Sequence, residues 1–195
     1  MHAILFRQRY DIARLTAELE ATVTEAAWVA KPERRKYFKW SAIALHSLGG
    51  GQGLDAVDEH VCEWLAEDCA ATAFMRCCPY VQALLEELPA SKLRVRFMKL
   101  EAGGHIGRHR DRLYGWELPI LRLHVPIVTH AGVEFRVADQ RLDMRPGELW
   151  YVNTSQEHEV INRGPTARTH LVVDLVNGPR LREWLGPETW ERTLP

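Results

Sequence analysis

Apolar and polar positions change their rhythm once along this chain, near Lys92. Downstream, "KLRVRFMKLE", "PILRLHVPIV", "GVEFRVA", "ELWYVN", "HEVIN" and "ARTHLVVDL" are short runs rich in β-branched and aromatic residues, separated by the turn chemistry of "AGG", "HAG", "RPG" and "NRGP". Such runs predict strands, and many short strands at close spacing predict a β-sandwich or small barrel rather than a parallel sheet with crossover helices. Upstream, the pattern is mostly helical. Asp11 predicts an N-cap for "IARLTAELEATVTEAAW", with Ile12, Leu15, Leu19 and Val23 at helical spacing. "YFKWSAIALHS" reads as one strand, ended by "LGGGQG"; "DAVDEHVCEWLAEDC" and "CPYVQALLEELP" read as helices, the second stopped by Pro89. The expectation is a mainly β protein with N-terminal helices. Residues 1–91 form helical support with one strand, 92–178 a jelly roll and 179–195 a C-terminal tail, all in one domain.

Composition narrows the partners. A length of 195 residues suffices for one well-filled core, and a formal net charge of −1 gives no electrostatic case for nucleic acid or an anionic membrane. No apolar stretch has the length of a membrane span, and "MHAILFRQRYDI" lacks a signal-peptide core, so a cytoplasmic location is expected. Cys62, Cys69, Cys77 and Cys78 form no CxxC pair and read as reduced, buried or half-buried thiols. Metal chemistry would have to come from histidine and carboxylate.

Those residues concentrate in the β-rich half, which holds six of the nine histidines. The segment "HIGRHRD" brings His109 and Asp111 together behind a strand-like run; an HxD alone is a weak signal. His158, at the entrance of "HEVIN", can point into the mouth of a sandwich opposite them. Two imidazoles and a carboxylate on one face of an octahedron leave three positions open, as non-haem Fe(II) oxygenases require. Ten residues beyond His158, Arg168 heads a strand whose alternation puts Arg168 and His170 on one face and Thr169, Leu171 and Val173 on the other. Its guanidinium would match the distal carboxylate of a cosubstrate such as 2-oxoglutarate fork to fork, the ordinary alternative being an edge arginine in solvent. "RLHVP" repeats the geometry: Arg122 and His124 share a face that is either wet or turned towards a ligand.

The stretches "KWSAIALHSLGG", "CPYVQALLEELP", "RVRFMKLEAGGHIGRHRD", "LRLHVPIVTHAGVEFRV", "MRPGELWYVNTSQEHEVIN" and "RTHLVVDLV" occur in an order that resembles the aspartyl/asparaginyl β-hydroxylase-like family of Fe(II)/2-oxoglutarate dioxygenases, which includes bacterial proline cis-hydroxylases. The resemblance runs from about Trp40 to Leu185 and implies a double-stranded β-helix. It implies His109, Asp111 and His158 as iron ligands, Arg168 on the far carboxylate of 2-oxoglutarate, and Arg122 and His124 at the cosubstrate's carboxylates or beside the substrate. Fe(II), 2-oxoglutarate and O₂ would be the cofactor set, and the reaction hydroxylation of an unactivated C–H of an amino acid, free or within a small peptide or natural product. A serine of the relatives that helps hold 2-oxoglutarate falls on Met98, so a hydroxyl would have to come from elsewhere, with Tyr151 and Thr169 as candidates. His105 reads as lining the entrance or supporting its loop, and His130 as a turn residue.

Arg94, Arg96 and Arg122 are candidates for a substrate carboxylate, and Trp40, Trp116 and Trp150 for pocket walls; each has a bland alternative as surface charge or core aromatic. Two other classes use the same residues. A cupin-type hydrolase or isomerase would hold zinc or manganese on the His₂Asp set but has no need of Arg168. A non-catalytic cupin-like binding module would have no reason to keep all three ligands.

Overall fold

In a computed structural model of the protein, residues 1–26, 28–30, 39–53 and 63–195 are described. The strands are β1 (Ala3–Arg9), β2 (Val29–Ala30), β3 (Trp40–Leu48), β4 (Cys69–Ala71), β5 (Lys92–Leu100), β6 (His105–His109), β7 (Ile120–Val128), β8 (Val133–Val137), β9 (Gln140–Leu142), β10 (Glu148–Val152), β11 (His158–Asn162), β12 (Arg168–Val176) and β13 (Trp190–Leu194). The α-helices are α1 (Ile12–Glu25), α2 (Pro79–Glu86) and α3 (Pro179–Trp184).

The strands form two sheets. The larger runs β13-β1-β10-β7-β12-β5-β3-β2, with β4 beside β3, and the smaller runs β6-β11-β8-β9. Every pairing between these strands is antiparallel. The result is the expected jelly roll, a double-stranded β-helix.

Alternation along the large sheet sorts its side chains into two layers. Its outer face presents Ile4, Phe6, Val95, Phe97, Leu121, Leu123, Leu171 and Val173 to Leu15 and Leu19 of α1 and to Val81, Leu84 and Leu85 of α2. Its inner face meets the small sheet through a second apolar cluster, in which Leu5, Leu100, Trp150 and Val152 pack on Phe135, Val137, Leu142 and Val160. The rest of the inner face is polar, and the candidate site lies there.

Asp11 caps α1 as expected, its carboxylate accepting from Arg14 N at 3.1 Å. The buried stripe of α1 is Leu15, Glu18, Leu19 and Thr22, while Val23 falls at its edge and is exposed. The buried charge of Glu18 has a function in the fold. Its oxygens accept the N–H groups of Tyr80 (2.5 Å) and Val81 (3.0 Å), satisfying the start of α2, where Cys78 offers no side-chain cap.

Several elements differ from the expectation, and residues 1–91 carry β1 to β4 rather than one strand. β1 lies inside the large sheet between β10 and β13, and because both faces of its first four residues are covered, Ala3 to Phe6 read as an apolar run without alternation before the exposed Arg7 to Arg9. β9 pairs with β8 across Ala138 and Asp139, both at positive φ (45° and 66°), so a two-residue hairpin forms without the usual glycine or asparagine. The supposed tail contains α3 and the edge strand β13, whose middle residues are exposed. Part of "DAVDEHVCEWLAEDC" lies outside the described residues, and Glu63–Asp68 is 3-10 rather than α-helix. Among the described residues no helix is long and apolar enough to cross a membrane.

Candidate active site

The site begins at the meeting of β6 and β11. His109 ends the first strand and His158 starts the second, and the two are direct register partners. Their rings stand 4.1 Å apart at 48°. Asp111 is brought to the same point by its own backbone, whose N–H donates to Thr154 O at 2.8 Å. Its carboxylate lies 3.7 Å from His109 Nε2 and 3.9 Å from His158 Nε2, and one ligand atom from each of the three residues lies within 4.8 Å of the others.

Both imidazoles are oriented in the same way. Nδ1 of His109 is 2.8 Å from Gly107 O, and Nδ1 of His158 is 3.0 Å from Gln156 O. A carbonyl only accepts, so each Nδ1 donates and Nε2 is the nitrogen left facing the shared space. Burial above all pushes the His158 pKa down to about 4, so that ring is neutral at physiological pH. Burial raises the Asp111 carboxyl, but Arg122 and the two histidines outweigh it and hold the group ionised. Two imidazoles and one carboxylate whose ligand atoms converge on one point are a donor set suited to a divalent first-row metal with open positions.

Behind the carboxylate is a charge network. Arg122 Nη1 donates to Asp111 Oδ2 at 2.6 Å, and its Nε and Nη2 grip Asp174 at 2.6 and 3.0 Å. Asp174 also accepts from Arg94 Nε (3.2 Å) and Arg96 Nη2 (3.0 Å) and is fully buried. Burial alone would raise its pKa; the three guanidiniums pull it well below the ordinary carboxylate range. Tyr114 completes the group, its hydroxyl accepting from Arg94 Nη2 at 2.5 Å and its ring lying under Arg122 at 4.1 Å.

Further along the inner face stand three basic residues with unused hydrogen-bonding capacity. Among the described residues, neither ring nitrogen of the buried His124 has a partner, and Arg168 Nε and His170 Nε2 are likewise without one. Arg168 is 3% exposed, no carboxylate among the described residues pairs with it, and burial alone pushes its pKa down to about 9. Phe135 lies between them, 5.5 Å from His124 and 5.9 Å from the Arg168 guanidinium. Buried donors left open at this density fit an anionic acceptor from outside the chain.

A family model described as aspartyl/asparaginyl beta-hydroxylase matches residues 10–178. The chain belongs to this family. L-proline cis-4-hydroxylase of Rhizobium meliloti (strain 1021) is 28% identical over 172 residues, which cover 87% of this chain and 59% of that protein. The chain therefore spans under two thirds of that relative's length. Among solved structures, the α-ketoglutarate-dependent carbocyclase SnoK from nogalamycin biosynthesis superposes with a TM-score of 0.57 at 9% identity, covering 90% of this chain and 80% of its own. An oxidoreductase of the 2OG-Fe(II) oxygenase family from Burkholderia pseudomallei gives 0.52 at 15% identity, covering 87% and 80%. These two likenesses support the shared fold.

Within this hydroxylase-family frame, Met98 lies on the inner face as the register partner of His170. Tyr151 and Thr169 do not replace its missing hydroxyl. Tyr151 packs in the outer apolar layer against Trp116, and Thr169 alternates away from Arg168. Trp150 is fully buried between the sheets with its indole N–H on Glu148 (2.8 Å), and Trp116 stacks edge-on with Trp190. Trp40 packs beside Ala42 and Ala44 of β3. Arg94 and Arg96 are engaged with Asp174. His105 Nε2 is 3.4 Å from Glu159, and His130 is held in the β7–β8 turn by Thr166 O at 3.1 Å. Sequence reasoning missed Asp174 and Tyr114. The signal for Asp174 was present: in "RTHLVVDLV" it falls in the same alternating set as Arg168 and His170.

Proposed function

We propose that the chain is an Fe(II)/2-oxoglutarate-dependent dioxygenase that hydroxylates an unactivated C–H of an amino acid, free or within a small peptide or natural product. The observation that carries the reading is the pairing of an open His109–Asp111–His158 set with the carboxylate-free, buried Arg168 on the same interior surface. A hydrolase or isomerase using the same three ligands leaves Arg168 without a purpose. The likeness to a proline hydroxylase supports an amino-acid substrate.

His109, Asp111 and His158 would hold the iron, which with 2-oxoglutarate would supply the O₂-driven oxidation of the C–H bond, with succinate and CO₂ as co-products. The chain's own contribution is positioning. His109 and His158 offer Nε2 atoms whose direction is fixed by their Nδ1–carbonyl contacts, and Asp111 offers a charge steadied by Arg122. Arg168 takes the far carboxylate of the cosubstrate in a water-poor interior, where a charged hydrogen bond is strongest. His124 gives a further nitrogen towards the same ligand, and Arg122 adds positive charge beside the near end. Phe135, which lies against His124, His158 and Arg168, gives that space an apolar wall.

The test is anaerobic. Adding Fe(II) and then 2-oxoglutarate to metal-stripped protein should give a weak visible charge-transfer band that Asp111→Ala or Arg168→Ala removes. Tight binding of zinc or manganese with no such band, and no succinate release in air with any amino acid, would overturn the reading.

A further inference from the structure

Arg168 Nη2 lies 2.7 Å from His170 Nδ1, both side chains being buried on the inner face of β12. A guanidinium has no acceptor, so His170 accepts, its proton sits on Nε2, and the ring is neutral in this contact. Arginine has many rotamers to lose on binding, and a strong hydrogen bond formed before a ligand arrives removes much of that cost from the binding step. His124 stands edge-on to the His170 ring at 5.8 Å, limiting its tilt. On another side, His170 lines a cavity of about 240 Å³ with Phe135, Leu142, Met144, Arg145 and Pro146. The imidazole therefore has two jobs available: accepting from Arg168, and walling the inner space from this cavity.

We infer that His170 is a positioning residue for the cosubstrate, acting through Arg168 by holding its guanidinium ready for the far carboxylate. The inference rests on the proposed role of Arg168. It gives His170 no contact with iron or substrate, so its loss changes how well 2-oxoglutarate is held rather than how fast the bound complex reacts.

Two substitutions separate the acceptor from the wall. His170→Phe keeps a ring against the cavity and removes the acceptor; His170→Asn keeps an acceptor near the Nδ1 position and gives up the ring. Calorimetric titration of 2-oxoglutarate into the anaerobic Fe(II) protein should show affinity weakened roughly ten- to hundredfold in His170→Phe, the range for a lost charged hydrogen bond, and largely restored in His170→Asn. In turnover the same loss should appear in KM for 2-oxoglutarate with kcat retained. Imidazole nitrogen chemical shifts should place the His170 proton on Nε2 in the wild type. Thermal unfolding checks that each variant is folded, and Arg168→Ala is the control. If Arg168→Ala weakens 2-oxoglutarate while His170→Phe binds it like the wild type, His170 is only a wall and the inference fails alone. If Arg168→Ala binds normally, the cosubstrate reading fails and takes this inference with it.

Discussion

Arg122 joins two aspartates that lie 63 residues apart in the chain, donating from Nη1 to Asp111 and from Nε and Nη2 to Asp174. One oxygen of Asp111 is thereby committed, which restricts how its carboxylate can turn towards the histidines. Groups that orient a metal ligand typically change affinity about 10–100-fold when removed. Arg122→Gln should weaken Fe(II) or Zn(II) binding by that order in a competition titration; unchanged affinity would show that Asp111 needs no such support.

Asp174 is the second end of that link, and its loss is a stability event. Deleting one partner of a buried, hydrogen-bonded ion pair costs about 3–5 kcal/mol. Asp174→Asn leaves Arg94, Arg96 and Arg122 facing an uncharged amide, and urea unfolding should show a loss of that size.

The same carboxylate gives a pH signature. Its pKa is depressed on folding, so it stabilises the fold at every pH above the unfolded value of about 3.9, and that contribution disappears as pH falls through the lower folded value. The stability gap between wild type and Asp174→Asn should be constant from about pH 7 to 5 and narrow below about pH 4. A gap that narrows on raising the pH instead would contradict the assignment of the buried charge.

How much of this was legible beforehand depended on whether a residue's partners lie close in pattern or only in space. His109, Asp111 and His158 sit at strand ends that the alternation marks, and Arg168 shares its strand face with His170 in plain sequence. Asp174 lies in the middle of an apolar run; only the arrival of β5 and β7 on either side supplies the arginines that make its burial tolerable. β9 was hidden for a different reason, since Ala138 and Asp139 adopt positive φ without the residues that advertise it. β1 carries no alternation because the fold covers both faces of Ala3 to Phe6. The choice for Arg122 and His124 between solvent and interior was a question of which sheet face is covered, and no local pattern answers it.

The two faces of one strand should be separable by mutation. Leu123 lies between Arg122 and His124 in β7 but points into the outer apolar layer. Leu123→Ala should cost about 2–5 kcal/mol in unfolding experiments while the folded fraction binds metal as the wild type does. Metal affinity that falls in step with stability would mean the sheet does not insulate its faces.

Strand β12 sits at the centre of the large sheet, between β5 and β7, yet it is the last of the three to leave the ribosome. Until it inserts, β5 and β7 have no common neighbour, and each of its pairings closes a loop of tens of residues before any hydrogen bond repays that cost. Arg168, His170 and Asp174 travel on this strand, so the arginines of β5 and β7 meet their common carboxylate only when it is in place. The strand that closes the sheet also closes the charge network.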